Sequence, residues 1–186
     1  MPAWLMIAIV LAALLAAGAV AWMMYEKQRT SRLKSRFGPE YDHAVREAGN
    51  RRKAEAELES RARRVGMLEL RELPPDDRER FARRWREAQA HFVDEPAPAV
   101  AEASALVKEV MGARGYPVGD FDQRAADISV DHPAVVENYR EARRIALASE
   151  SGRAFTEDLR RAMVLYRALF EELLGAHAYQ LQEVHR

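Results

Sequence analysis

The chain has 186 residues, of which 48% are hydrophobic and 31% are charged, with a formal net charge of zero. This size and composition are typical of one folded domain of ordinary size and exclude a disordered chain. Because the sequence contains no cysteine, disulfides, thiolate metal sites and cysteine nucleophiles are excluded as well.

The N-terminal segment from Ala3 to Met24 contains no charged residue. As a helix, these residues would extend about 33 Å, which matches a hydrocarbon core of about 30 Å. Trp4 lies at one end of the segment, and Trp22 and Tyr25 lie at the other, where interfacial aromatic residues are expected. Residues 1–25 are therefore predicted to form an N-terminal transmembrane helix, with the lipid bilayer as its partner.

A cluster of positive charges follows this segment and is absent before it. We call it the basic collar, and it consists of Lys27, Arg29, Arg32, Lys34 and Arg36. By the positive-inside rule, the collar predicts a single-pass signal-anchor in the cell membrane with a cytoplasmic C-terminal domain. The collar either only sets this topology or also binds anionic lipids. The competing interpretation is an exported envelope protein cleaved near Ala17–Ala21, although a signal peptide normally begins with a positive charge.

Residues 26–66 are predicted to be a basic juxtamembrane segment followed by a charged helical spacer. Gly38-Pro39 and Gly49-Asn50 are expected to interrupt its helices. The last helix has only Leu58 and Val65 as large apolar residues, so it is expected to be a solvated spacer or a loosely docked helix. Carboxylates alternate with its arginines and no aromatic residue is available for base stacking, which argues against nucleic acid as a partner.

Residues 67–175 are predicted to form a small helical bundle, and residues 176–186 a tail. The pattern indicates an apolar linker over 67–73 and a short helix in DFDQRAADI, residues 120–128. Four amphipathic helices are expected, the first two beginning at Pro75 and Pro96 and the others covering 132–149 and 156–174. The last one has the clearest apolar stripe, formed by Leu159, Met163, Tyr166, Phe170 and Leu173. The predicted fold class is all-α.

Three polar residues are predicted to cap helices. Asp94 and Asp131 each precede an x-Pro-Ala sequence, and Thr156 precedes the last apolar stripe, so all three are expected to be N-caps. The alternative for Asp131 and its neighbour His132 is a catalytic or metal-binding pair. No nucleophile motif, HExxH sequence, acidic calcium loop or glycine-rich phosphate loop accompanies them. The sequence therefore predicts no enzyme, no cofactor and no metal.

Several segments resemble a family of uncharacterised bacterial single-pass membrane proteins with a small helical domain, often labelled secreted or hypothetical. The resemblance rests on RFGPEYD (36–42), WREAQAHFVDEP (85–96), RGYP (114–117) and SVDHPAVVENYR (129–140). It implies an anchor followed by a helical body and no particular activity. The expected function is a membrane-anchored, non-enzymatic interaction or scaffold protein that binds an unknown protein partner or self-associates. The alternatives are the exported protein above, or a small-ligand-binding or enzymatic bundle using Tyr116, Asp120, Asp131 or His132.

Overall fold

The computed structural model describes residues 2–175, apart from the side chains of residues 3–5 and 7–10. These residues form eight α-helices and no strand, which confirms the all-α prediction. The helices are α1 (Ala3–Phe37), α2 (Pro39–Ala48), α3 (Arg51–Val65), α4 (Pro75–His91), α5 (Pro96–Ala113), α6 (Phe121–Asp131), α7 (Val136–Glu150) and α8 (Thr156–Leu174). Judged on length and hydropathy, none of the helices in this part of the chain qualifies as a membrane span. The predicted tail, 176–186, lies outside the described residues.

The chain divides into two compact units, Met1–Leu58 and Glu59–Arg186, with the division inside α3. In the first unit, α1 ends at Phe37 because Gly38 adopts a positive φ of 47° and Pro39 begins α2. Gly49, at φ 63°, ends α2 in the left-handed conformation. Both predicted interruptions are confirmed. Among the described side chains of this unit, the buried apolar ones are Leu33, Phe37, Tyr41, Ala44, Ala54 and Leu58.

The second unit has a core to which α4, α5, α7 and α8 all contribute, so the predicted helical bundle is confirmed. Every member of the predicted α8 stripe is buried. Trp85 of α4 stacks on Phe170 of α8 with ring centroids 4.6 Å apart. Residues 67–73 are irregular and place Leu73 in the core, as the apolar-linker prediction requires.

The loop after α5 passes against the backbone of this linker. The Arg71 N–H donates to the Arg114 carbonyl at 2.9 Å. Gly115 has φ 96°, and a Cβ there would lie 2.6 Å from the Glu69 carbonyl oxygen. Glycine is required at this position because both the conformation and the close approach exclude a side chain.

The predicted caps are corrected by the helix boundaries. Asp94 lies in the turn that follows α4, its N–H donating to the His91 carbonyl, and Glu95 is the residue that precedes α5. Asp131 is the last residue of α6, because the His132-Pro133 step interrupts the helix and α7 begins only at Val136. Thr156 is the first residue inside α8. The carboxylate of Asp158 caps that helix by accepting the Phe155 N–H at 3.0 Å.

Candidate functional site

The apolar part of α1 exposes large side chains all around the helix. The described ones are 51–75% accessible, and they are Met6, Leu11, Leu14, Leu15, Val20, Trp22, Met23, Met24 and Tyr25. Their positions follow no single face, so the helix is apolar on every side over this stretch. Trp22 and Tyr25, two of the predicted interfacial residues, are 64% and 62% exposed. The side chain of Trp4 lies outside the described residues.

The basic collar occupies the next turns of the same helix. Lys27, Arg32, Lys34 and Arg36 are exposed and Arg29 is half-buried. The Lys34 ammonium lies 5.3 Å from the centre of the Tyr41 ring, a cation–π distance that links α1 to α2. Because α1 is continuous from Ala3 to Phe37, the collar and the apolar stretch are held on one helix.

A buried carboxylate on α3 ties the three helices of the first unit together. Glu55 accepts hydrogen bonds from the Thr30 hydroxyl at 2.8 Å, the Tyr41 hydroxyl at 2.8 Å and the Arg51 Nε at 3.0 Å. Burial raises the pKa of Glu55, but the three hydrogen bonds outweigh burial and hold that pKa below its ordinary value. The role of Glu55 is not visible in the sequence, because only the folded chain brings Thr30 and Tyr41 to it.

The side chains of Asp131 and His132, which are neighbours in the sequence, contact different parts of the fold. The Asp131 carboxylate accepts a hydrogen bond of 2.8 Å from the Tyr116 hydroxyl, whereas His132 Nδ1 lies 3.1 Å from the Glu172 carboxylate of α8. The two side chains therefore have different partners, and Asp131 does not orient the His132 ring as a catalytic dyad requires. Asp120, the fourth residue of that hypothesis, caps α6 by accepting the Gln123 N–H.

A groove of about 490 Å³ lies between α5 and α7 and is also lined by Arg124 of α6. Its apolar lining consists of small side chains: Ala97, Pro98, Val100, Ala101, Ala105 and Ala146. Its polar lining consists of Ser104, Lys108, Arg124, Arg143, Ser149 and Glu150. Three cations and one carboxylate therefore border one apolar depression. The groove has no signal in the sequence, because periodicity does not show which small residues of α5 remain uncovered.

Arg124 is held in place by neutral oxygens alone. Its Nε donates to the Tyr139 hydroxyl at 3.1 Å, and its Nη1 donates to the carbonyls of Val118, at 3.2 Å, and Gly119. In the second unit's described residues, no carboxylate lies within ion-pair distance of this guanidinium. The Arg124 charge is consequently fixed in position and not neutralised by a neighbouring acid.

Comparison with known proteins identifies no relative: no family model, curated protein or solved structure matches the chain. Among the described residues, no group of three or more His, Asp or Glu side chains is placed to hold a metal ion.

Proposed function

We propose that this chain is a membrane-anchored, non-enzymatic helical interaction or scaffold protein. In this proposal α1 is a single-pass transmembrane anchor in the cell membrane and the helical bundle lies in the cytoplasm. The observation that carries the proposal is the exposure of large apolar side chains on every side of α1. In water such a surface is unfavourable by about 25 cal/mol per Å² of apolar area, so it requires an apolar environment.

The sequence on either side of the exposed apolar residues of α1 supports a lipid bilayer as the apolar environment. No charged residue occurs between Ala3 and Met24, and the basic collar begins directly afterwards. A bilayer covers a helix on all sides, which fits an apolar surface without a preferred face better than a groove on a partner protein would. The collar then supports a cytoplasmic location for the bundle.

Retention in membranes tests the anchor. We expect the full-length chain to remain in membranes washed with alkaline carbonate. The Leu14→Arg/Leu15→Arg variant should shift to the soluble or aggregated fraction, because each arginine at the centre of a span opposes insertion by about 2.5–3.5 kcal/mol. The matched Leu14→Ala/Leu15→Ala variant should remain bound. Recovery of the unmodified chain in the soluble fraction contradicts the anchor. A mature N-terminus near residues 19–22 contradicts the anchor and supports the exported alternative.

The interaction role is supported by the combination of the apolar helix α1 with a folded helical bundle later in the same chain. Proximity labelling tests it, with the labelling enzyme fused to the C-terminus of the full chain and, as a control, to residues 1–37 alone. We expect reproducible protein neighbours, or a second copy of the chain, with the full fusion only. Identical neighbours for both fusions contradict a role for the bundle in choosing partners.

A further inference from the structure

We infer that the α5/α7 groove is a binding site for a small organic anion, in which a carboxylate or phosphate group is joined to a compact apolar body. This inference goes beyond the proposed anchoring and does not depend on it. It rests on the three cationic side chains that border the groove, on their incomplete neutralisation and on the apolar lining.

Two guanidinium groups that line the groove also lie near the same aromatic ring. Arg124 and Arg143 lie 5.7 and 5.9 Å from the centre of the Phe121 ring. Both side chains also line the groove, and Arg124 has only neutral hydrogen-bond partners. Because both guanidiniums line the same groove, an anion bound there would be attracted by both charges.

The charged side chains around the groove do not balance. Arg143 has one carboxylate partner, Glu150, at 3.8 Å, which is a long ion pair. Lys108 forms no hydrogen bond or ion pair with the described part of the chain. The groove therefore has an excess of two positive charges. Residues 93–186 as a whole have an excess of negative charge, with 11 Lys+Arg against 16 Asp+Glu. The groove is a positive site on an acidic segment, which favours a localised anion over a broad polyanion.

The size and the apolar wall of the groove suit a small organic molecule. Ala97, Pro98, Ala101 and Ala105 are exposed along α5, so the groove has an apolar wall without long side chains. Sites for small molecules commonly have volumes of about 300–1,000 Å³, an apolar lining and a few convergent polar groups. The Ser104 hydroxyl, which accepts a hydrogen bond of 3.1 Å from Tyr166, is held at the wall by that bond. The Ser104 hydroxyl hydrogen remains free to turn toward a ligand oxygen.

The test uses phenyl phosphate as the probe and the full-length chain in phosphatidylcholine nanodiscs, or in buffer if the chain is soluble. Ligand-observed NMR titration should give saturable binding. Benzylamine, which has a similar apolar body and the opposite charge, should not bind. Inorganic phosphate should bind more weakly, because it lacks the apolar body. If the chain is soluble and the anchor proposal is wrong, the same titration is carried out in buffer. The two proposals can therefore be contradicted independently of one another.

Two pairs of variants locate the binding. Ala101→Glu introduces a negative charge into the groove, and Ala101→Gln adds nearly the same volume without charge. Relative to Ala101→Gln, Ala101→Glu should weaken phenyl phosphate binding at least about tenfold. Lys108→Gln should weaken it about two- to fivefold, whereas Lys53→Gln, an exposed lysine of the first unit, should leave it unchanged.

Competition by an anionic lipid shows whether the anion is a lipid headgroup or a free solute. If phosphatidylglycerol nanodiscs compete with phenyl phosphate for the unmodified chain, the anion is a lipid headgroup. If they do not, the anion is a free solute, and both results support the site. No saturable binding of phenyl phosphate, equal binding of benzylamine, or equal affinity in both Ala101 variants overturns it.

Discussion

The Tyr41 hydroxyl donates a hydrogen bond of 2.8 Å to the buried carboxylate of Glu55, joining α2 to α3. Thr30 of α1 donates to the same oxygen, so one carboxylate connects the helix of the proposed anchor to the two helices that follow it. Among the described side chains of the first unit only six apolar ones are buried, so this carboxylate is expected to contribute much of the contact between its helices.

Replacing Glu55 by glutamine is expected to destabilise the first unit by about 1–2 kcal/mol, since three hydrogen bonds to a charged acceptor become bonds to a neutral one. Hydrogen exchange of the α2 amides in the full-length chain measures this change. Glu47→Gln is the control, because it makes the same substitution at an exposed glutamate of α2, whose carboxylate lies 3.8 Å from His43. Equal protection of α2 in the two variants would show that Glu55 is not the contact that holds the helices.

The same carboxylate predicts a dependence on pH. The pKa of Glu55 lies below its ordinary value of 4.5, because the hydrogen bonds outweigh burial. Its stabilisation is therefore complete above pH 4.5 and is lost as the pH falls through the lowered pKa. The difference in α2 protection between the unmodified chain and Glu55→Gln should shrink below pH 4.5. A difference that grows on acidification would mean that the folded chain favours protonated Glu55.

How far the sequence predicts this fold depends on whether a residue's role is set locally. Leu159, Met163 and Phe170 were assigned to the core correctly, because a helical stripe requires only spacing along one helix. Glu55 was expected on a solvated spacer, since its burial depends on hydroxyl groups from two other helices. Asp131 was assigned to a cap because its local sequence suits one, but the Tyr116 hydroxyl is its partner in the fold. The groove is likewise a tertiary feature and has no periodic signature.

The stack of Trp85 on Phe170 is expected to dominate the junction of α4 and α8. Phe170→Ala should destabilise the bundle by about 3–5 kcal/mol, because it removes a buried aromatic side chain and leaves a cavity. Phe155→Ala is the matched control, since the Phe155 side chain is 80% exposed, and its effect should lie within about 0.5 kcal/mol of zero. Urea unfolding followed by circular dichroism measures both variants. Similar losses for both would contradict the placement of Phe170 in the core.

Tyr116 is expected to resist ionisation. Burial raises the pKa of Tyr116 above its ordinary value of 10.0, and the hydrogen bond to Asp131 raises it further. The raised pKa stabilises the fold below pH 10, and this contribution is lost as the pH rises through the folded-state value. The phenolate absorbance of the unmodified chain minus that of Tyr116→Phe should stay near zero at pH 10–11 in buffer. In urea the difference in absorbance should rise around pH 10 and level off at the absorbance of one ionised tyrosine. A difference that rises near pH 10 in buffer as well would place Tyr116 in solvent.

The central claim is that α1 crosses the membrane and leaves the bundle in the cytoplasm. Because the chain contains no cysteine, a single Lys53→Cys substitution provides one thiol after the basic collar. A membrane-impermeant maleimide applied to intact and to disrupted cells measures the side on which this thiol lies. The proposal predicts labelling only after disruption, with the chain recovered in the membrane fraction. Labelling of Cys at position 53 in intact cells would contradict it.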